Sequence, residues 1–333
     1  MVYQALDVKI QSRKHILFIP DLLGFKKQND LFNYLRKKPG YKEYLEKYDQ
    51  QELHRGDLEV ALNHLMVNEM EKMMHFMDGS YREFFKLMLK RYELHDLQLI
   101  LRALVTGEDT QNVSKYFIHS KKYTKIDFAR LVQVNSLAEF TKILKGTIYY
   151  DTLKTMEEED IYNREWHFEM KVSATYSNLL YKKVESFEED DIEVAKRILG
   201  LNIDRLNIEW IYRAKKYYNI SNEEILVYSQ PKGYKLSYTR LKKLIYTTDV
   251  EQFKKLANKY MNDDLFEAGD NLLEIKLDKL FYVSLNEKQN KNGIGRVMGY
   301  MYKLELILED ITAVAEGLRY NISPEEIKKY LVI

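Results

Sequence analysis

The feature that most constrains this chain is a phrase it contains three times: an amphipathic helix, a left-handed stop and a capped restart. In the first copy, Leu94, Leu97, Leu101 and Leu104 share one helical face, Gly107 can take positive φ at a helix end, and Asp109 can cap the next helix. The second copy runs from Asn207 through Arg213 to Asn219 and Ser221, and the third from Asp310 through Glu316 to Asn321 and Ser323. Two residues before each cap stands Gly107, Asn219 or Asn321, the types that best tolerate the left-handed conformation. Four residues after each cap comes Val113, Ile225 or Ile327, and seven after it Tyr116, Tyr228 or Tyr330. Ser221 with Glu224 and Ser323 with Glu326 spell capping boxes, and Pro324 occupies a first-turn position that needs no N–H.

A second phrase also recurs. Its copies are Leu31, Tyr34, Leu35, Tyr41 and Leu45; then Leu137, Phe140, Leu144, Tyr149 and Leu153; then Val250, Phe253, Leu256, Tyr260 and Leu265. Each follows an apolar pair, Leu22-Leu23, Leu131-Val132 or Leu244-Ile245. The two phrases alternate, so the chain divides into units 1–118, 119–229 and 230–333, and periodicity of this length points to a repeat architecture. With only 4 Pro and 13 Gly to break it, the sequence favours long helices and an all-α fold. Such a unit cannot cover its own apolar face, so three are expected to close on one another around a cavity.

Composition narrows the function. The 52 basic and 51 acidic residues nearly cancel, so no global field draws in nucleic acid or anionic lipid. Cysteine is absent, which excludes disulfide and thiolate chemistry. The most apolar N-terminal run, Ile16 to Phe25, is broken by Pro20 and Asp21 and is too short to span a bilayer, so a soluble chain is expected.

Local signals predict helices over about 3–9, 30–37, 57–77, 81–105, 109–118, 126–133 and 136–145, with a turn at Phe18-Ile19-Pro20. Glu157 to Asp160 precedes a long helix to about Val184, and Glu188 to Asp191 opens a helix over 190–199 that Gly200 is expected to close. The last third predicts helices over about 237–246, 249–260 and 263–280, a loop from Asn286 to Asn292, and a long helix to about Gly317.

No constellation asks for catalysis. His15, His54, His64, His75, His95, His119 and His167 show no metal-ligand spacing and read as solvated or core-edge residues. Gly293-Ile-Gly295-Arg-Val-Met-Gly299 has its third glycine one position late for a phosphate loop and reads as a helix entry. Met66, Met70, Met73, Met74 and Met77 fall at core spacing. Most of the 27 tyrosines recur at repeat positions, Tyr116, Tyr228 and Tyr330 among them, which suits packing with the hydroxyl at a polar rim. No residue is nominated as catalytic, cofactor-binding or metal-binding, and the binding residues stay unassigned.

The repeated stretches resemble a known family. Glu93 to Gly107 with Leu101-Arg102-Ala103 at its centre, Asn207 to Ala214, Tyr300 to Glu305 and the ending Ser323 to Leu331 are similar to the C subunit of the archaeal-type and bacterial vacuolar-type (A/V-type) rotary ATPase, the counterpart of the d subunit of the eukaryotic V-ATPase. The resemblance covers essentially the whole chain. It implies three similar helical units in a pseudo-threefold funnel, and a non-catalytic rotor component without cofactors. It also implies seating of the D–F shaft on the membrane c-ring, torque transmission for ATP-coupled ion transport, and a cytoplasmic location peripheral to the membrane. Arg102 and Arg213 recur where the third copy has Glu316, and a cation there complements the helix dipole. Two other classes stay open at this point: a helical-repeat scaffold for unrelated partners, and an all-α enzyme.

Overall fold

A computed structural model describes residues 3–12, 19–48, 54–155, 165–218, 220–290 and 293–333, and among them every regular element is helical, with no strand. The fold is all-α, as the scarcity of Pro and Gly predicts. The helices are α1 (Tyr3–Ser12), α2 (Ile19–Leu22), α3 (Gln28–Lys37), α4 (Lys42–Leu45), α5 (Arg55–Met74), α6 (Gly79–Met88), α7 (Lys90–Thr106), α8 (Phe128–Leu131), α9 (Leu137–Ile143) and α10 (Tyr150–Leu153). They continue as α11 (Glu165–Val184), α12 (Glu189–Tyr217), α13 (Asn222–Tyr228), α14 (Tyr238–Ile245), α15 (Val250–Met261), α16 (Leu273–Leu285), α17 (Gly293–Arg319) and α18 (Pro324–Ile327). The chain clusters into two compact units, residues 63–185 and residues 2–62 with 186–333; the first boundary falls inside α5 and the second between α11 and α12.

In the unit of residues 63–185, α7 buries Leu94, Leu97, Ile100 and Leu101 against Phe128, Leu131, Phe140, Leu144, Tyr149 and Leu153. Each such side chain contributes about 1.5–3 kcal/mol on leaving water. The methionines Met66, Met70, Met73, Met74 and Met77 are all buried, as their spacing predicts. In the other unit, α12 packs Ile208, Ile211 and Tyr212 with Leu241, Leu244, Phe253, Ala257 and Leu277. Here the third copy of the second phrase shifts its register. Ala257 and Met261 are the buried positions, while Leu256 and Tyr260 pack half-buried at the edge.

Several boundaries depart from the sequence expectation, each for a contact that local signals do not encode. The helix expected over 81–105 is two helices, α6 and α7, with a break at Leu89. The carbonyls beside the break are taken by tyrosines: the Tyr176 hydroxyl donates to Met88 O at 3.3 Å, and the Tyr149 hydroxyl to Lys90 O at 2.9 Å. Gly200 does not end a helix. It lies inside α12, where a Cβ would sit 2.9 Å from the backbone nitrogen of Tyr234, so the glycine permits a close approach. Ile19 and Pro20 start helix α2 instead of a turn, and the third-copy helix begins at Leu273 and runs to Leu285. The restart after Gly107 is a tight 3₁₀ segment, Thr110–Tyr116. Glu157 to Asp160 lie outside the described residues, as does Asn219.

Candidate functional site

The first and third copies of the first phrase stop as their sequence dictates, and all three restart at the expected cap. Gly107 and Asn321 hold φ of 72° and 53°. Asp109 accepts from the Gln111 amide at 2.9 Å, Ser221 from Glu224 at 3.2 Å and Ser323 from Glu326 at 3.2 Å. Ile225 and Ile327 turn inwards as buried anchors, with Val113 half-buried in the same role. Behind Ile327 a Cβ on Gly317 would lie 2.4 Å from Ile327 Cγ1, so only glycine lets the restart fold back this closely on α17.

Behind every corner sits a device that the local patterns do not announce. In α7, Asp96 is fully buried and accepts the backbone N–H of Ile118 at 2.9 Å and of His119 at 2.8 Å. In α17, Asp310 accepts from the N–H of Val332 at 2.8 Å and of Ile333 at 2.9 Å. In α12, Asn207 occupies the matching place, its Oδ1 accepting the Gln230 N–H at 2.8 Å while its Nδ2 donates to the Gln230 carbonyl at 2.7 Å. The residue each one grips, Ile118, Gln230 or Val332, lies nine positions after the cap Asp109, Ser221 or Ser323. A buried acceptor thus clamps the backbone leaving each corner to the long helix entering it, satisfying amides that would otherwise be orphaned. The signal was present in sequence as Asp96-Leu97, Asn207-Ile208 and Asp310-Ile311, each an Asp or Asn before an aliphatic residue at 13, 14 and 13 positions ahead of the cap.

The three clamps differ electrostatically. Burial pushes the Asp96 carboxyl upward, but hydrogen bonds from His119, His95 and the two amides more than offset this and hold it below the usual range. His95 and His119, read as separate solvated or core-edge residues, are brought together here: their Nδ1 atoms lie 3.0 and 2.7 Å from Asp96, and His119 stacks on Phe128. An ionised carboxylate only accepts, so each Nδ1 carries the proton. Asp310 has no such ring donors. Burial therefore prevails over its two amide hydrogen bonds and pushes it up to about 6. One turn before Asn207, Asp204 accepts the amides of Lys235 at 2.6 Å and Leu236 at 3.0 Å, and burial again pushes it up to about 6. In the first copy the same turn carries Glu93, which pairs with Lys90 at 2.7 Å and shares the Tyr149 hydroxyl proton with the Lys90 carbonyl, its Oε2 lying 3.2 Å from that hydroxyl and tying the second phrase to the first.

Arg213 does more than complement a helix end. It pairs with Glu209 at 2.9 Å and Glu274 at 3.0 Å, joining α12 to α16, while Arg205 two turns back pairs with Asp278. Burial, then repulsion from Glu274, pushes Glu209 up to about 7 against the attraction of Arg213 and Arg205. Arg102 is exposed, and Glu316 is half-buried, with Arg319 at 3.8 Å. The glycines Gly293, Gly295 and Gly299 open and line helix α17; at Gly295 a Cβ would crowd Val194 and the Asn290 backbone. Among the described residues no three His, Asp or Glu side chains form a group able to hold a metal ion, and no helix is long and apolar enough to cross a membrane.

What these residues build is stiffness. Helix ends are capped, backbones leaving them are clamped, and charged pairs bridge neighbouring helices. The arrangement defines a class: an all-helical protein whose recurring polar residues hold backbone in place. The match to a family model for the ATP synthase (C/AC39) subunit spans residues 19–330. The chain belongs to that family. It is 20% identical to the C subunit of the A-type ATP synthase of Methanothermobacter thermautotrophicus over 94% of this chain and 82% of that protein. It is 22% identical to the same protein of Methanosphaera stadtmanae, covering 97% and 84%. The Methanocaldococcus jannaschii protein of that name is 25% identical over 76% of this chain and 66% of its own length.

Proposed function

We propose that this protein is a non-catalytic central-stalk adaptor of an A/V-type ATPase, on the cytoplasmic side and peripheral to the membrane. Its three helical units, 1–118, 119–229 and 230–333, close into a pseudo-threefold funnel. The funnel seats the foot of the D–F shaft and rests on the membrane c-ring, passing torque between them during ATP-coupled ion transport. The observation that supports this reading is the threefold clamp of Asp96, Asn207 and Asp310 within a chain of this family. A part under torque needs corners that do not open, and a buried side chain holding two backbone groups resists opening because each group left buried and unpaired would cost about 1–3 kcal/mol.

Purified chain mixed with the D–F shaft should elute as a stoichiometric complex in size-exclusion chromatography with light scattering, and the same chain should bind purified c-ring in detergent. Binding to neither would overturn the assignment. The alternative class, an open helical-repeat scaffold, would show a larger radius of gyration in small-angle scattering than a closed funnel of the same mass.

A further inference from the structure

Helix α14 turns Leu241, Leu244 and Ile245 into the core. Folding is served by those three, yet the outward side is just as strongly patterned. Arg240, Lys242 and Lys243 are exposed there, and Tyr234, Tyr238 and Tyr246 are 56%, 53% and 42% exposed. From Ile225 to Thr248 the chain contains no acidic residue, although 51 of its 333 residues are acidic, so charge is segregated here in a protein whose net charge is only +1.

The face is held on a fixed base. The loop before α14 is pinned by the two amides that Asp204 accepts, and Gly200 and Gly233 let it lie against α12, since a Cβ at either would collide with Tyr234 or with Asp204. Tyr238, Lys242 and Tyr246 follow at four-residue spacing and so form one stripe. Lys242 Nζ stands 5.7 Å from the Tyr246 ring centre, and Arg240 lies 5.3 Å from the Tyr260 ring while donating to the Lys235 carbonyl at 2.9 Å. The chain itself shows what the face accepts: at its edge the Tyr246 hydroxyl donates to the Glu223 carboxylate at 3.0 Å.

We infer that this tyrosine and arginine-lysine face is a docking surface for an acidic protein surface, whose carboxylates take the Tyr, Arg and Lys donors while its apolar parts lie on the rings. Tyrosine and arginine are among the residue types that dominate the energetics of protein interfaces, and three cations flanked by three exposed rings suit a mixed protein surface better than a lipid headgroup layer, which selects cations alone. This inference rests on the reading of the chain as a subunit that seats other subunits.

The test compares the full-length wild type with the triple variant Arg240→Gln, Lys242→Gln and Lys243→Gln. Biosensor binding is measured to the purified D–F shaft, to purified c-ring and to phosphatidylglycerol vesicles, at low and high salt. The variant should stay folded with a melting temperature within a few degrees of wild type, because all three residues are exposed and give up only the Arg240 contacts to the Lys235 carbonyl and the Tyr260 ring and the Lys242 contact to the Tyr246 ring. Wild type should bind the shaft or the ring with salt-sensitive affinity, and the variant should bind that partner about tenfold more weakly with most of the salt dependence gone. Unchanged binding by the variant overturns the inference and leaves the adaptor reading standing. Wild-type binding to neither protein overturns the adaptor reading, and this inference with it. Vesicle binding that the variant abolishes, with shaft and ring binding intact, assigns the face to lipid and overturns the protein-docking inference.

Discussion

Replacing Asp96 with Ala should remove one corner clamp and leave its partners in place. The Ile118 and His119 amides and the His119 ring N–H, all on buried residues, would lose their acceptor. Each buried neutral donor left unmade costs about 1–3 kcal/mol, and part of that sum is returned because a carboxylate no longer has to be desolvated. The net expectation is a loss of about 2–4 kcal/mol in the unfolding free energy of the unit of residues 63–185 at neutral pH. Asp96→Asn should lose only about 1 kcal/mol, since one oxygen can still accept an amide, as Asn207 does in the second copy. Acid adds a second signature. The folded-state carboxyl sits below its usual value, so its contribution is complete above the unfolded range near 3.8 and disappears as pH falls through the folded value. Wild type should therefore lose stability more steeply than Asp96→Asn below about pH 4. Urea unfolding followed by circular dichroism, with hydrogen exchange at the Ile118 and His119 amides, measures both effects. A cost below about 1 kcal/mol for the alanine variant, or equal costs for both variants, would refute the clamp.

Three further outcomes follow from the same geometry. Gly200→Ala gains helix propensity but drives a methyl into the Tyr234 backbone, so the melting temperature should fall by the equivalent of about 1–3 kcal/mol; a rise would show the approach is not tight. Asp310, pushed up to about 6 from 3.8, makes the folded chain hold more protons between those values, so its contribution weakens as pH rises through that window. Asp310→Asn should flatten that part of the pH profile in thermal melts, and an unaltered slope would contradict it. Glu209 is pushed up to about 7, so Glu209→Gln should raise the melting temperature at pH values above 7 and change it little in mild acid, where the native side chain is already protonated.

The helices were legible because their signals are short-range. Asp109, Ser221 and Ser323 cap amides two or three residues on, Gly107 and Asn321 supply positive φ, and the leucines of α7 repeat at helical spacing. The clamps were not, although Asp96 and Asp310 stand in the same repeated phrases. An aspartate on a helix looks the same whether it faces water or a buried amide 22 residues away, and His95 and His119 look unrelated until one carboxylate gathers them. Gly200 misled for the same reason. Its lack of a side chain signals a helix end locally, but a close neighbour tertiarily.

The sequence by itself determined an all-helical chain, its threefold phrasing and the chemistry of its helix ends, because capping, propensity and apolar periodicity act within about one helical turn. Only the tertiary structure decided which polar residues are buried acceptors and where Leu89 interrupts a helix. Those outcomes depend on which distant backbone passes close enough to need a partner, and a buried donor must find one or lose free energy comparable to a broken hydrogen bond.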